Sequence, residues 1–393
     1  MARSSAPLSA AQKADPSART LLGGITARAF LARHWQKRLL LVRGAWPGFE
    51  DLISVNGLFR LATRDDCESR IVVRDGRRWQ LRHGPFRPAE LRRLPRRNWT
   101  LLVQGVNHVV PAADRMMRTF RFIPYARLDD VMVSYAAPGG SVGPHFDSYD
   151  VFLVQGGGRR RWRVSRQRDL TLDPRAPLKI LRDFHSQQEW VLDPGDLLYL
   201  PPRVAHEGTA IDACLTYSIG FRAPSAHELA DGFLEFLQER LSFSERRYAD
   251  PDLRPTVHPA ELRTDLIARC ACAIDQVQWT RREVEAFIGT YLSEPKPHVR
   301  FTSPARPLGP RAFERTCVRT GLRLAPATGM LYRRGRLYVN GEMIVMTGST
   351  RRMLEQLADD RALPARTSFT GEAVALLYTW YRAGYLAPGG GDG

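Results

Sequence analysis

The chain has 393 residues, of which 44% are hydrophobic and 25% are charged. This composition is typical of globular proteins and excludes a largely disordered chain, and the length suggests two or three domains. Lysine and arginine outnumber aspartate and glutamate by 58 to 41, giving a formal net charge of +17. Such an excess indicates an acidic partner such as nucleic acid, the ribosome or a membrane surface, but it does not identify which.

The N-terminal segment and the cysteines bear on the compartment. Residues 1–20 are rich in alanine, serine and arginine without an apolar core, so they predict a disordered leader rather than a secretory signal. Five cysteines without a CxxC spacing predict free thiols in a reducing cytoplasm. No apolar run is long enough for a membrane span.

The first half of the chain is dominated by short strands. Thr26 is a candidate cap for a short helix, and Asp75-Gly76 is a hairpin signal inside residues 70–82. From residue 129 to 221, short β-type segments alternate with proline and glycine clusters. Many short strands separated by turn signals indicate a sandwich or a barrel.

The pattern changes near Pro224. Residues 227–241 have apolar side chains at helical spacing, and similar patterns continue over 259–274 and 280–292. A proline-rich segment follows, and then a small α/β unit with a hairpin predicted at Asn340-Gly341. The second half therefore predicts helices, a linker or arm, and a further domain.

Three residues carry the predicted chemistry. His145 and Asp147 are two positions apart, so on a strand they share one face and can bind one metal ion. His206, which follows the Pro201-Pro202 turn, is the predicted third ligand. Two histidines and one carboxylate that leave positions open are typical of non-haem Fe(II) oxygenases.

The basic segment 159–163 has three interpretations. It could be a solvated edge strand, a nucleic-acid-binding patch with an aromatic residue, or the source of one inward arginine. Strand alternation places Arg160 and Trp162 on one face and the other three arginines on the opposite face. Inside a barrel, Arg160 is predicted to bind a dicarboxylate such as 2-oxoglutarate through bidentate hydrogen bonds.

The segments GPHFDSYDVFLVQGGGRRRWRV and LPPRVAHEGTA resemble the JmjC ribosomal oxygenases, specifically the bacterial arginine hydroxylases of ribosomal protein L-sixteen. The resemblance extends more loosely over about residues 20–386. It implies an α+β chain in which a double-stranded β-helix, the cupin or JmjC barrel, precedes a helical dimerisation region and a winged-helix-like C-terminal domain. The resulting domains are a leader (1–20), a JmjC/cupin catalytic domain (21–224), a helical dimerisation domain (225–293), a linker (294–310) and a winged-helix-like domain (311–388).

The resemblance also implies roles for individual residues. His145, Asp147 and His206 match the iron ligands of the family. Arg160 matches the residue that holds the distal carboxylate of 2-oxoglutarate, and Ser134 matches a hydroxyl that assists it.

A pocket for the substrate arginine is also implied by the resemblance. Asp130 is expected to pair with the guanidinium, and Met132 and Tyr149 are expected to flank its alkyl stem. For Met132, plain core packing is an equally good interpretation. One departure from the broader cupin pattern is Arg203, where a glycine is usual, which puts only the geometry of that turn in question.

The predicted activity is therefore Fe(II)- and 2-oxoglutarate-dependent hydroxylation, with O2 as second co-substrate, at C-3 of an arginine in ribosomal protein L-sixteen. A histidyl hydroxylase or an N-methyl demethylase acting on another protein would use the same metal site. A non-catalytic winged-helix nucleic-acid binder is the alternative from another class. We expect a cytoplasmic homodimer without membrane contact, and direct nucleic-acid binding stays open.

Overall fold

The computed structural model describes residues 15–76, 78–240 and 247–389. These residues form two compact units. The first runs up to Ala223 and also takes in Pro295–Thr328 and the chain from Arg352 onward, and the second consists of Pro224–Glu294 and Gly329–Arg351. No helix among the described residues is long and apolar enough to cross a membrane.

Seventeen strands are assigned within the described ranges. They are β1 (Leu40–Val42), β2 (Ser69–Asp75), β3 (Arg78–His83), β4 (Trp99–Val103), β5 (Leu128–Ala136), β6 (Val151–Gln155), β7 (Arg160–Ser165), β8 (Gln188–Leu192), β9 (Leu197–Leu200), β10 (Ala205–Ala210), β11 (Cys214–Phe221), β12 (Leu322–Leu324), β13 (Met330–Arg333), β14 (Arg336–Val339), β15 (Glu342–Val345), β16 (Ala362–Leu363) and β17 (Leu386–Pro388).

The helices frame these strands. They are α1 (Ala18–Leu21), α2 (Ala27–Arg33), α3 (Val55–Leu61), α4 (Pro88–Arg92), α5 (Pro111–Arg118), α6 (Ala226–Gln238), α7 (Thr264–Ile274), α8 (Arg281–Ser293), α9 (Pro310–Thr320), α10 (Gly348–Asp360) and α11 (Gly371–Ala383), with short 3-10 turns at Val106–His108 and Tyr125–Arg127. The predicted cap of α2 is confirmed, because the Thr26 hydroxyl accepts a hydrogen bond from the Ala29 N–H at 3.1 Å. Residues 1–14 of the predicted leader lie outside the described residues, whereas its last residues begin α1 behind the Ser17 cap.

Two antiparallel sheets build the first unit. The large sheet has the order β1-β9-β6-β11-β5-β4-β2-β3, and the small one has the order β10-β7-β8. Along β6, Phe152 and Val154 join an outer core with the helices, while Val151 and Leu153 face the small sheet. Because strand side chains alternate between faces, one strand serves both cores. The predicted double-stranded β-helix is confirmed: the two sheets enclose an interior between them.

The remaining elements form smaller sheets. In the first unit, β16-β12-β17 lies with α9 and α11, and the second unit contains α6, α7 and α8 with the meander β13-β14-β15. The predicted hairpin at Asn340-Gly341 is confirmed, since both residues adopt left-handed φ angles of 49° and 89°. All five cysteines lie in the described ranges and are free thiols, as predicted.

Candidate metal centre

A backbone bridge brings two of the predicted ligands together. The N–H of His145 donates to the carbonyl of His206 at 2.9 Å, and the N–H of His206 donates to the carbonyl of His145 at 2.8 Å. His206 belongs to β10, whereas His145 lies in the long connection between β5 and β6. The sequence placed His145 and Asp147 on one strand, but the structure has only this isolated bridge followed by an irregular turn.

The side chains of His145, Asp147 and His206 nevertheless converge. One potential ligand atom from each lies within 4.8 Å of the others, and the His206 Nε2 is 3.7 Å from an Asp147 carboxylate oxygen. The two imidazole rings have centroids 4.3 Å apart. Two nitrogens and one oxygen in this arrangement suit a divalent transition metal and leave coordination positions open on one side.

A backbone carbonyl on the Nδ1 side of each imidazole fixes the orientation of the ring. The Nδ1 of His145 lies 2.9 Å from the Gly143 carbonyl, and the Nδ1 of His206 lies 2.9 Å from the Val204 carbonyl. A carbonyl only accepts, so each Nδ1 carries the proton and each Nε2 keeps a lone pair for a metal. Burial, followed by the neighbouring His145, lowers the pKa of His206 to about 4, so His206 is neutral at neutral pH.

The Arg203 turn clamps the metal-binding segment. Arg203 has a φ of 63°, the left-handed conformation that the usual glycine would adopt freely. An L-residue adopts it at a cost of roughly 1–2 kcal/mol. Its N–H donates to the Asp147 carbonyl at 2.8 Å, and its guanidinium lies 5.8 Å from the centre of the Phe146 ring. The turn geometry therefore survives the glycine replacement.

A buried arginine shares the interior with the three metal-binding side chains. Arg160 is only 3% exposed, and its Nη1 donates to the hydroxyls of Ser134 and Thr216, each at 3.2 Å. Its Nη2 donates to the Gly208 carbonyl at 3.3 Å, while its buried Nε has no hydrogen-bond partner in the described structure. A guanidinium stays charged in proteins, so a buried one with a spare donor favours an anionic ligand.

The strand alternation predicted for 159–163 is confirmed. Arg160 and Trp162 are buried, and the Arg160 guanidinium lies 5.2 Å from the centre of the Trp162 ring. The three arginines of the opposite face pair with acidic side chains instead: Arg159 with Asp212, Arg161 with Glu189, and Arg163 with Glu207. This pairing offsets the positive charge that a nucleic-acid patch at this strand would need.

Sequence reasoning missed two contributors to the Arg160 site. Thr216 lies on β11 directly opposite Ser134 of β5, and Gly208 lies on β10 beside the guanidinium. A Cβ atom at Gly208 would be 2.7 Å from the Arg160 Nε and 2.8 Å from the Trp162 ring, so only glycine leaves room for both. Thr216 stands in no recognisable motif, and Gly208 lies in the segment LPPRVAHEGTA, but only the strand register shows that both meet Arg160.

The predicted substrate-pocket residues lie around one end of β5. Asp130 and Ser134 are each 4% exposed, and Met132 between them lies with its sulfur 3.9 Å from the Arg70 Nη2. Tyr149 is 41% exposed, and the charge of Asp147 is the main cause of its raised pKa, to which Asp130 also contributes. The structure therefore places Tyr149 close enough to Asp147 and Asp130 for their charges to act on its hydroxyl, and places Met132 against Arg70.

A double-stranded β-helix that encloses two histidines, one aspartate and a buried arginine is typical of non-haem Fe(II) oxygenases. Comparison with known families agrees, because residues 115–229 match the family model described as JmjC domain. Residues 276–387 match a second model, described as ROXA-like winged helix.

The chain is similar to characterised proteins over most of its length. It is 36% identical over 339 residues to the ribosomal protein uL16 3-hydroxylase of Escherichia coli, covering 86% of this chain and 89% of that protein. It is 39% identical over 213 residues to a probable ribosomal oxygenase of Haemophilus influenzae, covering 53% of this chain and 52% of that protein.

A solved structure of the Escherichia coli ribosomal oxygenase YcfD in complex with cobalt and 2-oxoglutarate has a TM-score of 0.77 and 33% identity, covering 92% of this chain and 98% of that one. The chain therefore belongs to the JmjC-domain ribosomal oxygenases.

Replacement of one metal-binding side chain should abolish tight metal binding. We expect His206→Ala to weaken Co(II) or anaerobic Fe(II) affinity by about 100-fold or more, beyond the loss typical of outer-shell changes. Isothermal titration calorimetry measures this directly. His185→Ala is the matched control, because His185 is exposed. Equal affinities for the two variants would contradict the ligand assignment.

Proposed function

We propose that this chain is an Fe(II)- and 2-oxoglutarate-dependent hydroxylase that acts on an arginine of ribosomal protein uL16. The observation that carries the proposal is the His145, Asp147 and His206 cluster enclosed in the same barrel as the partly unsatisfied Arg160. A ligand that chelates a metal at one end and carries a carboxylate at the other fits this pair of features.

The residues of the barrel divide the work. When bound, Fe(II) with 2-oxoglutarate and O2 supplies the oxidising chemistry that functionalises an unactivated carbon. His145 and His206 present their Nε2 atoms to the metal because the Gly143 and Val204 carbonyls bind their Nδ1 atoms. Asp147 supplies the negative charge, and the Arg203 N–H holds the backbone of Asp147 in place.

Arg160, with Ser134 and Thr216, is the proposed site for the distal carboxylate of 2-oxoglutarate. The two hydroxyls accept hydrogen bonds from Nη1 and orient the guanidinium, which leaves Nε available. Trp162 lies against both residues: its ring centre is 5.2 Å from the Arg160 guanidinium and 5.9 Å, ring to ring, from His206, so it lines both the proposed carboxylate site and the metal site. The close packing keeps bulk water from this part of the barrel.

The substrate assignment rests on the relatives and on charge. The Escherichia coli relative is named a ribosomal protein uL16 3-hydroxylase, which supports a ribosomal protein as substrate and C-3 as the site. Asp130 is a buried carboxylate two positions before Met132 on β5, and its charge also acts on Tyr149, so this combination suits a cationic side chain with an alkyl stem. The second candidate function is lysine demethylation or histidine hydroxylation. A relative from Aedes aegypti that is 25% identical is named a bifunctional lysine-specific demethylase and histidyl-hydroxylase.

Turnover and product analysis test the substrate. We expect the iron-loaded protein to convert 2-oxoglutarate to succinate when given a uL16 fragment, and to add the mass of one oxygen atom to one arginine. Tandem mass spectrometry locates the oxygen. Addition to a histidine, or loss of a methyl group from lysine, would favour the second candidate. Absence of turnover with every ribosomal protein would favour a non-catalytic binder.

Loss of the buried arginine should weaken co-substrate binding selectively. We expect Arg160→Gln to raise the KM for 2-oxoglutarate by about 30-fold, because a charged hydrogen bond contributes roughly 1.5–3 kcal/mol. Metal affinity should change little. Arg161→Gln is the matched control, since Arg161 lies on the exposed face of the same strand. Similar KM values for the two variants would contradict the assignment.

The helical segment supports the proposed homodimer. Eight of the exposed large hydrophobic side chains lie between residues 224 and 294: Leu234, Tyr248, Leu253, Val257, Leu262, Ile267, Ile274 and Trp279. No residue of α7 is buried. We therefore propose residues 225–293 as the dimerisation domain. In chain order, it follows a catalytic domain at 21–224, and the linker 294–310 leads to a winged-helix-like domain at 311–388.

Disruption of this apolar surface should dissociate the dimer. Ile267 and Ile274 are two helical turns apart, so both project from one side of α7. We expect Ile267→Asp to convert the dimer to a monomer at micromolar concentration, as measured by light scattering. Val345→Asp is the control, since Val345 is similarly exposed but lies on β15. A monomeric wild type would contradict the proposal.

A further inference from the structure

Lys296 contributes an ammonium group beside the predicted substrate pocket. Its Nζ donates to an Asp129 carboxylate oxygen at 3.0 Å and lies 3.8 Å from an Asp130 carboxylate oxygen. Both pairs lie within the first compact unit. Lys296 comes from the proline-rich segment, far along the chain from β5, so this contact is not a by-product of local sequence.

The two carboxylates differ in their surroundings. Asp129 is partly exposed and also lies 3.5 Å from the Arg222 Nε. Asp130 is almost fully buried, and the Gly105 N–H donates to its Oδ2 at 2.9 Å. At 3.8 Å, the Lys296 ammonium compensates the negative charge of the Asp130 carboxylate without donating a hydrogen bond to it.

We propose that Lys296 is a positioning residue for substrate binding: its ammonium group bridges Asp129 and Asp130 and keeps the Asp130 carboxylate charged and oriented for a cationic substrate side chain. This role rests on the proposed function, in which Asp130 receives the guanidinium. Lys296 itself does not contact the reacting atoms.

Electrostatics support the geometry. Burial raises the pKa of Asp130, as does the neighbouring Asp129, whereas Lys296 and the Gly105 N–H oppose the rise. Burial alone would lower the pKa of Lys296, but Asp130 and Asp129 raise it overall. Without Lys296, two adjacent carboxylates would face each other with one of them buried, and protonation of Asp130 would be favoured. A protonated Asp130 would be a poor partner for a guanidinium.

Other charged groups surround this cluster. The titratable and charged groups on or next to the Asp129, Asp130 and Lys296 cluster come from several elements: Glu68, Arg70, His108, Tyr149, Arg222, His298 and Arg361. Burial, followed by the charges of Lys296 and His298, lowers the pKa of His108 to about 4, so His108 is neutral at neutral pH. Arg222 is engaged with Asp129. Lys296 is therefore the cation in this group that Asp130 depends on most.

The choice of lysine is also informative. The chain has lysine at only four positions, 13, 37, 179 and 296, and uses arginine elsewhere. An ammonium is a compact point charge, whereas a guanidinium forms a planar fork that would reach for both oxygens of a carboxylate. A lysine here can compensate Asp130 while leaving room for the substrate's own guanidinium.

Kinetics separate this role from plain structural support. We expect Lys296→Met to raise the KM for the uL16 fragment about tenfold at pH 7, with the KM for 2-oxoglutarate unchanged. Because the missing cation raises the pKa of Asp130, the defect should shrink as the pH is raised and Asp130 ionises. Lys179→Met is the matched control, since Lys179 is an exposed lysine of the same unit.

A second variant tests whether the effect passes through Asp130. Asp130→Asn should raise the same KM at every pH, and adding Lys296→Met to it should change little further. A KM effect of Lys296→Met that is absent, independent of pH, or additive to Asp130→Asn would overturn the proposal. An unchanged KM in Asp130→Asn would instead overturn the assignment of Asp130 within the proposed function.

One measurement needs no substrate. Carbon-13 NMR titration of labelled aspartates, with Asp130→Asn for assignment, reports the pKa of Asp130 in the full chain. We expect that pKa to rise in Lys296→Met and to return close to the wild-type value in Lys296→Arg. Identical titration curves in wild type and Lys296→Met would overturn the proposal even if the substrate proves to be another protein.

Discussion

The metal-binding arrangement depends on two backbone hydrogen bonds between His145 and His206. They join a long connection of the large sheet to a strand of the small one, and so tie the two sheets together where the ligands meet. The bridge places the backbones of both histidines side by side, and one ligand atom from each imidazole and from Asp147 lies within 4.8 Å of the others. Backbone pairing is a robust device for this purpose, since it does not depend on side-chain rotamers.

The same logic extends to the turn at Arg203 and to Arg160. The left-handed Arg203 donates its N–H to the Asp147 carbonyl. The turn that precedes His206 thereby holds the backbone of Asp147. Arg160 is held by hydroxyls of two paired strands and fits only because Gly208 lacks a side chain. The strain at Arg203 and the burial of a cation at Arg160 both cost stability, and the large outer core of the barrel offsets them.

Much of the strand pattern could be predicted from sequence, because the segments that form β6 and β8 are apolar or alternating and are bounded by turn residues. The metal-binding residues could be predicted because the chain has only nine histidines and the spacing of two of them relative to Asp147 has a chemical reason. β10 was not predicted as a strand, since its sequence AHEGTA lacks the apolar alternation that marks strands. β10 faces the barrel interior, and it carries His206 and Gly208 at positions where a core strand usually has apolar side chains.

Contacts between distant segments could not be predicted from the sequence, for a different reason. Thr216 meets Arg160 only through the register of β11 on β5, and Lys296 reaches Asp129 from a segment predicted as a linker or arm. Spacing motifs carry no information about such pairs, because each depends on how independent elements pack. The net charge of +17 has the same limit as a predictor, since it does not show which basic side chains are paired with acidic ones in the fold.

Local compensation changes the meaning of that charge. The arginines at 159, 161 and 163 are paired with acidic side chains, and Arg160 is buried with an unpartnered Nε, which the proposed function assigns to an anionic co-substrate. A basic ribosomal protein approaching a basic enzyme meets general repulsion, so binding must rely on a local site for positive charge. In the proposed function Asp130 provides that site, and it can do so only while ionised. The proposed compensation of this buried aspartate by Lys296 would thereby make a cation-binding pocket compatible with a strongly cationic chain.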